Sequence, residues 1–161
     1  MEILDVIDDN DKVIGKAPRQ EVYAKSLHHR IVHILIFNDK GEMALQLRSN
    51  KCSFCPHHWS TAVGGHVQSG ESYEQAALRE YEEELGTKTK IEFFSKDDYQ
   101  NTGTPRKFVV SFKTKFNGPF NHDLEVVDKV EFFTIKKIKQ MVDKGEKFHP
   151  ELLFLLKKYF F

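Results

Sequence analysis

A chain of 161 residues is long enough to bury one substantial core and short for two, and no linker or repeat divides it, so one domain over residues 1–161 is expected. Lysine plus arginine and aspartate plus glutamate number 24 each, which argues against general binding to nucleic-acid backbones. The longest apolar run is far below membrane-spanning length, the acidic opening MEILDVIDDND is unlike a secretory leader, and two cysteines three residues apart make a poor disulfide framework, so a cytoplasmic setting is expected.

In chain order, Glu2 to Asp8 and Lys12 to Gly15 read as short strands around the turn-prone DDND segment, and Pro18 opens a brief helix. Ile31 to Phe37 and Glu42 to Arg48, joined by NDKG, carry a strong hairpin signal. Gly64, Gly65 and Gly70 then punctuate a loop leading into a helix over Tyr73 to Leu85, which Ser72 can cap with Gln75 closing the box. Further strands are expected at Ile91 to Phe94, Lys107 to Phe116 and Lys129 to Thr134. Two helices complete the chain, IKKIKQMVDKG and HPELLFLLKKYF, the second with Pro150 near its start and an apolar stripe behind it. The sum is an α/β (α+β) fold, a mixed sheet between helices.

The helix from Tyr73 to Leu85 carries the chemistry. At roughly 100° per residue, positions three and four apart share a face. Glu80 and Glu84 fall on the side of Tyr73, Ala76 and Ala77, with Glu83 beside them, and that is the side a fold buries. Glu74 and Glu82 point away and read as solvated surface acids. Burying ionised carboxylates costs several kcal/mol each unless a cation compensates. All-oxygen donors with water and a phosphate-bearing substrate describe a Mg²⁺ site better than a zinc site.

The pattern Gly65-x5-Glu71-x7-Arg79-Glu80-Tyr81-x-Glu83-Glu84-x-Gly86 resembles the Nudix box of Nudix hydrolases, departing from it at Thr87, where that family usually has an aliphatic residue. The resemblance implies the Nudix fold, with the mixed sheet sandwiched between helices as α/β/α. It implies that Glu80, Glu83 and Glu84, with the carbonyl of Gly64, hold Mg²⁺ or Mn²⁺, and that Arg79 and Glu71 orient the acidic cluster. The implied reaction is hydrolysis of a phosphoanhydride in a nucleoside diphosphate derivative or another small diphosphate metabolite. Metal ions there neutralise the diphosphate and lower the pKa of the attacking water. The proton acceptor is either Glu80 or an acid from a later loop, Glu125 or Asp128. The family resemblance also suggests a phosphate contact for Arg48, at a strand end near the glycines; the other reading is a solvated strand end. Lys51 is a second candidate substrate contact in the loop that follows.

Three features compete with this reading. Cys52-x2-Cys55-x-His57-His58 could begin a zinc site, but a closed site draws ligands from two separated clusters, so reduced thiols and exposed histidines are expected. Trp59 and the phenylalanines could stack on a base, although aromatics at strand spacing more often form core. Finally, LHHRIVHILIF and WSTAVGGHV resemble type I isopentenyl-diphosphate isomerases. Those enzymes use a cysteine immediately before a Gly-His pair and a Glu-x-Glu pair on a later strand; here the positions read Gly64 and Thr104-Pro105-Arg106-Lys107. His29 and His66 match their metal-binding histidines, with structural or substrate-contacting roles equally open. The intact box favours hydrolysis over isomerisation. It also argues against a catalytically silent diphosphate-binding module, which has no need of mutually repelling carboxylates. The expected partner is a small diphosphate-containing substrate whose identity is set by loops outside the box. No sequence feature indicates an oligomeric state.

Overall fold

Described over residues 1–161 in a computed structural model, the chain forms nine strands and four helices. In order these are β1 (Ile3–Ile7), β2 (Val13–Pro18), α1 (Arg19–Ala24), β3 (His29–Phe37), β4 (Met43–Arg48), β5 (Trp59–Thr61), β6 (Val63–His66), α2 (Tyr73–Leu85), β7 (Glu92–Tyr99), β8 (Lys107–Lys115), β9 (Val127–Phe133), α3 (Ile135–Asp143) and α4 (Pro150–Tyr159). Seven strands form one mixed sheet with the path β5-β4-β3-β8-β7, β6 joining β3 and β9 joining β4. The strands β1 and β2 pair with each other in a separate two-stranded sheet.

The nine-residue β3 is central because it is apolar toward both faces, as strands covered on two sides are. Val32, Ile34 and Ile36 pack with Ala76, Ala77, Tyr81 and Leu85 of α2. On the opposite face Leu35, Met43, Leu45 and Trp59 pack with Ile138 and Met141 of α3 and Leu152 and Leu156 of α4. Each fully buried aliphatic side chain contributes about 1.5–3 kcal/mol of apolar burial. The expected architecture, a mixed sheet between helical layers, is the one observed, and Trp59 belongs to the core.

The hairpin expected between β3 and β4 forms only at its turn, where the ladder holds the single pair Phe37↔Met43. Beyond it the strands splay, because β3 pairs with β6 and, in parallel, with β8, while β4 pairs with β5 and β9. The chain from Trp59 to His66 bridges the splay: Leu45↔Thr61 pairs it to β4, and His33↔Gly64 and Val32↔Gly65 pair it to β3. Gly64 and Gly65 therefore lie in a strand, where the sequence suggests a loop. Only Gly70 sits in a turn, with φ at 85°.

Two boundaries also differ from expectation. The strand β2 runs on to Pro18, and β7 runs from Glu92 to Tyr99, well past Phe94. Its second half is polar in sequence, yet Ser95, Asp97 and Tyr99 turn inward, and the Asp97 carboxylate accepts from the Tyr159 hydroxyl at 2.9 Å and pairs with Lys158. Buried polar residues conceal a strand from an apolar pattern. The β1–β2 hairpin holds the turn before α2, because Asp5 accepts from the Ser69 hydroxyl at 2.7 Å and from the Gly70 amide at 3.2 Å. No helix is long and apolar enough to cross a membrane.

Candidate active site

The acidic helix α2 starts where its sequence dictates. The Ser72 side chain accepts from the Gln75 amide at 3.1 Å, the Gln75 side chain accepts from the Ser72 amide at 2.9 Å, and Gly86 closes the far end in the left-handed conformation. Between these caps the wheel sorts the acids. Glu84 is buried and Glu80 nearly so, whereas Glu82 faces solvent and pairs with Lys88 at 2.8 Å. Glu83 lies farther out than the wheel suggests, its side chain 60% exposed, because it reaches back one turn to Arg79 at 3.3 Å.

Arg79 organises this surface. Its Nε and Nη2 donate to the two oxygens of Glu71 at 2.7 and 2.9 Å, Nη1 donates to Glu80 at 2.8 Å, and Nη2 also reaches the His66 carbonyl at 3.0 Å. The bond to Glu71, offset in part by burial, raises the guanidinium pKa further, so this is a permanent cation. Burial works against ionisation of Glu71, but Arg79 and the Gln68 amide win and hold its carboxyl below the usual range. Glu71 and Arg79 thus tie the turn before α2 to the acidic cluster.

The inner end is different in character. Burial raises the pKa of Glu84 well above the usual carboxylate range, and the neighbouring Glu80 raises it further. Burial also raises Glu80, although Arg79 partly opposes it. Glu84 receives neutral donors only, the Gln46 amide at 2.9 Å on Oε1 and, more distantly, the Gly64 amide at 3.4 Å on Oε2. Gly65 makes the arrangement possible, since a Cβ at that position would stand 2.4 Å from the Glu80 carboxyl carbon. Two buried carboxyls thus face each other beside a glycine pair with one arginine on the outer side. No three His, Cys, Asp or Glu side chains converge as a ready metal cage, either at these glutamates or in the segment Cys52 to His58.

None of the remaining sequence candidates hydrogen-bonds or ion-pairs with the glutamates of α2. Arg48 Nε donates to the Phe54 carbonyl at 3.0 Å, and Lys51 pairs with Glu125 at 3.0 Å on the exposed surface. Asp128 is exposed on β9. The Cys52 thiol donates to the Val126 carbonyl at 3.4 Å, His58 lies 2.9 Å from the Pro56 carbonyl, and both cysteines are free.

His29 and His66 stack at 5.5 Å on the opposite side of β6, where Tyr23 Oη lies 2.6 Å from His66 Nε2. Burial lowers the pKa of His29 to about 4 and of His66 to about 3, so both rings are neutral at pH 7. Beside them runs a network absent from the sequence reading. Lys107 donates to Glu151 at 2.9 Å, the other Glu151 oxygen lies 3.0 Å from His33 Nε2, and His33 Nδ1 lies 2.8 Å from Thr61 Oγ1. Burial opposes the ionisation of Glu151, but His33 and Lys107 hold its carboxyl well below the usual range. Gln46, too, escaped the sequence reading; its signal was a polar residue inside the apolar strand MALQLR.

Residues 27–156 match the NUDIX domain family. An uncharacterized Nudix hydrolase of Nostoc sp. is 31% identical over 166 residues, covering 99% of this chain and 96% of that protein. Another, from Streptomyces coelicolor, is 45% identical over 85 residues, and the match spans 53% of this chain but only 47% of that protein's length. The crystal structure of DR0079 from Deinococcus radiodurans has the same fold, with a TM-score of 0.86 at 24% identity, covering 99% of this chain and 100% of that one. The chain belongs to the NUDIX domain family and is a Nudix hydrolase.

Proposed function

We propose that this enzyme hydrolyses a phosphoanhydride bond in a nucleoside diphosphate derivative or other small diphosphate metabolite, with Mg²⁺, or Mn²⁺ in its place, held by Glu80, Glu83, Glu84 and the Gly64 carbonyl. The observation that carries the reading is the buried pair of Glu80 and Glu84, with Glu84 contacted only by neutral donors. Such a pair suits a hard divalent cation and its oxygen-rich substrate. Bound there, the cation supplies charge neutralisation for a diphosphate and a lowered pKa for the attacking water.

The chain's own groups supply the rest. Arg79 fixes Glu80 directly and Glu83 from one turn away, while Glu71 holds the guanidinium in register. Of the acids that could take the water's proton, Glu80 is the one seated beside the other donors, whereas Glu125 is engaged with Lys51 at the surface. Glu80 is therefore the proton acceptor in this reading, with the loop acids Glu125 and Asp128 as its alternatives. Arg48, at the end of β4, and Lys51, in the loop that follows, keep the role of outer contacts to substrate phosphate.

The isomerase reading is the weaker one on this geometry. Glycine at position 64 offers no thiol, and a Cβ there would meet the His33 ring at 3.3 Å. Next to His29 and His66 the chain places the ammonium of Lys107, paired with Glu151, in the segment where the isomerases carry acids. The test is a panel of nucleoside diphosphate derivatives together with isopentenyl diphosphate, assayed with Mg²⁺ for phosphate-containing products and for isomer, beside the Glu84→Gln variant. Metal-dependent hydrolysis reduced at least ~10²-fold in the variant is expected. Isomer formation would overturn the proposal in favour of the isomerase, and binding without turnover across the panel would favour a silent module.

A further inference from the structure

We infer that Gln46 is a positioning residue that determines which oxygen of Glu84 faces the metal, an inference that rests on the metal site proposed above. Gln46 is 1% exposed at the centre of β4, on the face toward α2. Its single Nε2 donates twice, to the Ala62 carbonyl at 3.0 Å and to Glu84 Oε1 at 2.9 Å. Both amide protons are thus used, one to anchor the side chain on the segment between β5 and β6 and the other to hold the carboxylate. Its Oε1 is buried and has no partner, so the amide is oriented by what it donates.

The consequence for Glu84 follows from how unequally its two oxygens are engaged. Oε1 accepts a bond of 2.9 Å from Gln46, whereas Oε2 receives the long contact from the Gly64 amide at 3.4 Å. Oε2 is therefore the less engaged oxygen and the one this inference assigns to the metal, on the side of Gly64 whose carbonyl is the proposed neighbouring ligand. A donor rather than an acceptor is required at Gln46, because a second oxygen against Glu84 would repel it. The anchor on Ala62 also couples the carboxylate to the strand that carries Gly64 and Gly65, so helix and strand ligands keep one spacing. Groups that orient ligating carboxylates in this way typically change metal affinity about 10- to 100-fold when removed.

The experiment is Mn²⁺ binding to the substrate-free enzyme, followed by the paramagnetic resonance signal of free Mn²⁺, with thermal melting in the presence and absence of the ion. The proteins are wild type, Glu84→Gln, Gln46→Met, which keeps the volume without the donor, and Gln46→Asn, which keeps the amide but shortens its reach. Weakened Mn²⁺ binding in both Gln46 variants, about tenfold or more in Gln46→Met, is expected. A Gln46 that serves only the fold would lower the melting temperature and leave the Mn²⁺ dissociation constant unchanged, and that result overturns the inference while the metal site stands. Wild-type protein that takes up no Mn²⁺, or Glu84→Gln that binds it as wild type does, overturns the metal site itself and this inference with it.

Discussion

Replacing Gly65 by alanine is the sharpest perturbation of the site that leaves every charge in place. The new Cβ would lie 2.4 Å from the Glu80 carboxyl carbon, 2.5 Å from its Oε1 and 2.8 Å from its Cγ. Ordinary contact begins at 3.4 Å, so the carboxyl must retreat by about 1 Å, from 2.4 to 3.4 Å. The far end of a glutamate side chain can make that move by rotation, leaving β6 and its pairing to β3 intact. The fold should therefore lose no more than the ~1–3 kcal/mol typical of overpacking. Catalysis should lose more in proportion, because a misplacement of ~1 Å in a catalytic group costs about 10²-fold in rate, or ~2.7 kcal/mol of barrier. The assay is kcat/KM at saturating Mg²⁺ on the best substrate of the panel, with thermal melting alongside. Gly70→Ala is the control, since its φ of 85° with nothing within 4 Å predicts a stability loss of about 1 kcal/mol and unchanged chemistry. Wild-type kcat/KM in folded Gly65→Ala would mean that the position of Glu80 does not matter to turnover.

Other predictions follow from the same geometry. Glu83→Gln and Glu84→Gln should each reduce turnover at least ~10²-fold, whereas Glu82→Gln, in an exposed pair with Lys88, should retain wild-type activity; equal losses at all three in a steady-state assay would contradict the sorting of acids along α2. Lys107→Met or Glu151→Gln alone leaves a buried charge without its partner and should cost about 3–5 kcal/mol in urea unfolding, with much of that recovered in the double variant; additive losses would mean the two are not coupled. Stability should also fall on acidification below about pH 6.5. Burial lowers the folded pKa values of His29 and of His149, the buried N-cap residue of α4, to about 4 and that of His66 to about 3, so the unfolded chain takes up protons first, and their contribution, complete above 6.5, is lost as pH falls through 4 to 3. Glu151 adds to the loss at lower pH, because its depressed carboxyl stabilises the fold above 4.5 and ceases to as pH drops further. The slope is at most ~1.4 kcal/mol per pH unit for each histidine, and a melting temperature flat between pH 7 and pH 5 would show that these rings are not buried neutral.

What the sequence discloses of the site is what helix periodicity and local motifs carry. The cap at Ser72, the inward side of α2 and the outward Glu82 are local, and the structure has them as read. Glu83 departs because a side chain near the rim is decided by its partner, and Arg79 lies one turn back. The splay between β3 and β4 is invisible to a hairpin signal, which reads the turn and the alternation but not which neighbours compete for each strand's edges. The missed residues share one property: Gln46 meets Glu84 across 38 positions and Lys107 meets Glu151 across 44, so no window on the sequence contains either pair. The clamp of Asp5 on Ser69 and Gly70 is nonlocal in the same way.

Two buried glutamates on opposite sides of the sheet show why the proposed metal site is assigned to α2 and not to α4. Glu151 is held by the Lys107 ammonium and His33, and its carboxyl is pushed well below the ordinary range. Glu84 is no less buried, but its companions are an amide, a peptide N–H and a like-charged carboxyl, and it is pushed the other way. The difference lies in compensation, since desolvation acts on both in the same sense. On the α4 side the fold supplies its own cation and the network is electrostatically complete. On the α2 side the nearest cation is Arg79, which is divided among Glu71, Glu80 and Glu83 and makes no bond to Glu84. A divalent ion bound between Glu80, Glu84 and Gly64 would therefore do for Glu84 what Lys107 does for Glu151. By the same argument, Mg²⁺ should raise the melting temperature of the wild-type enzyme and leave that of Glu84→Gln nearly unmoved.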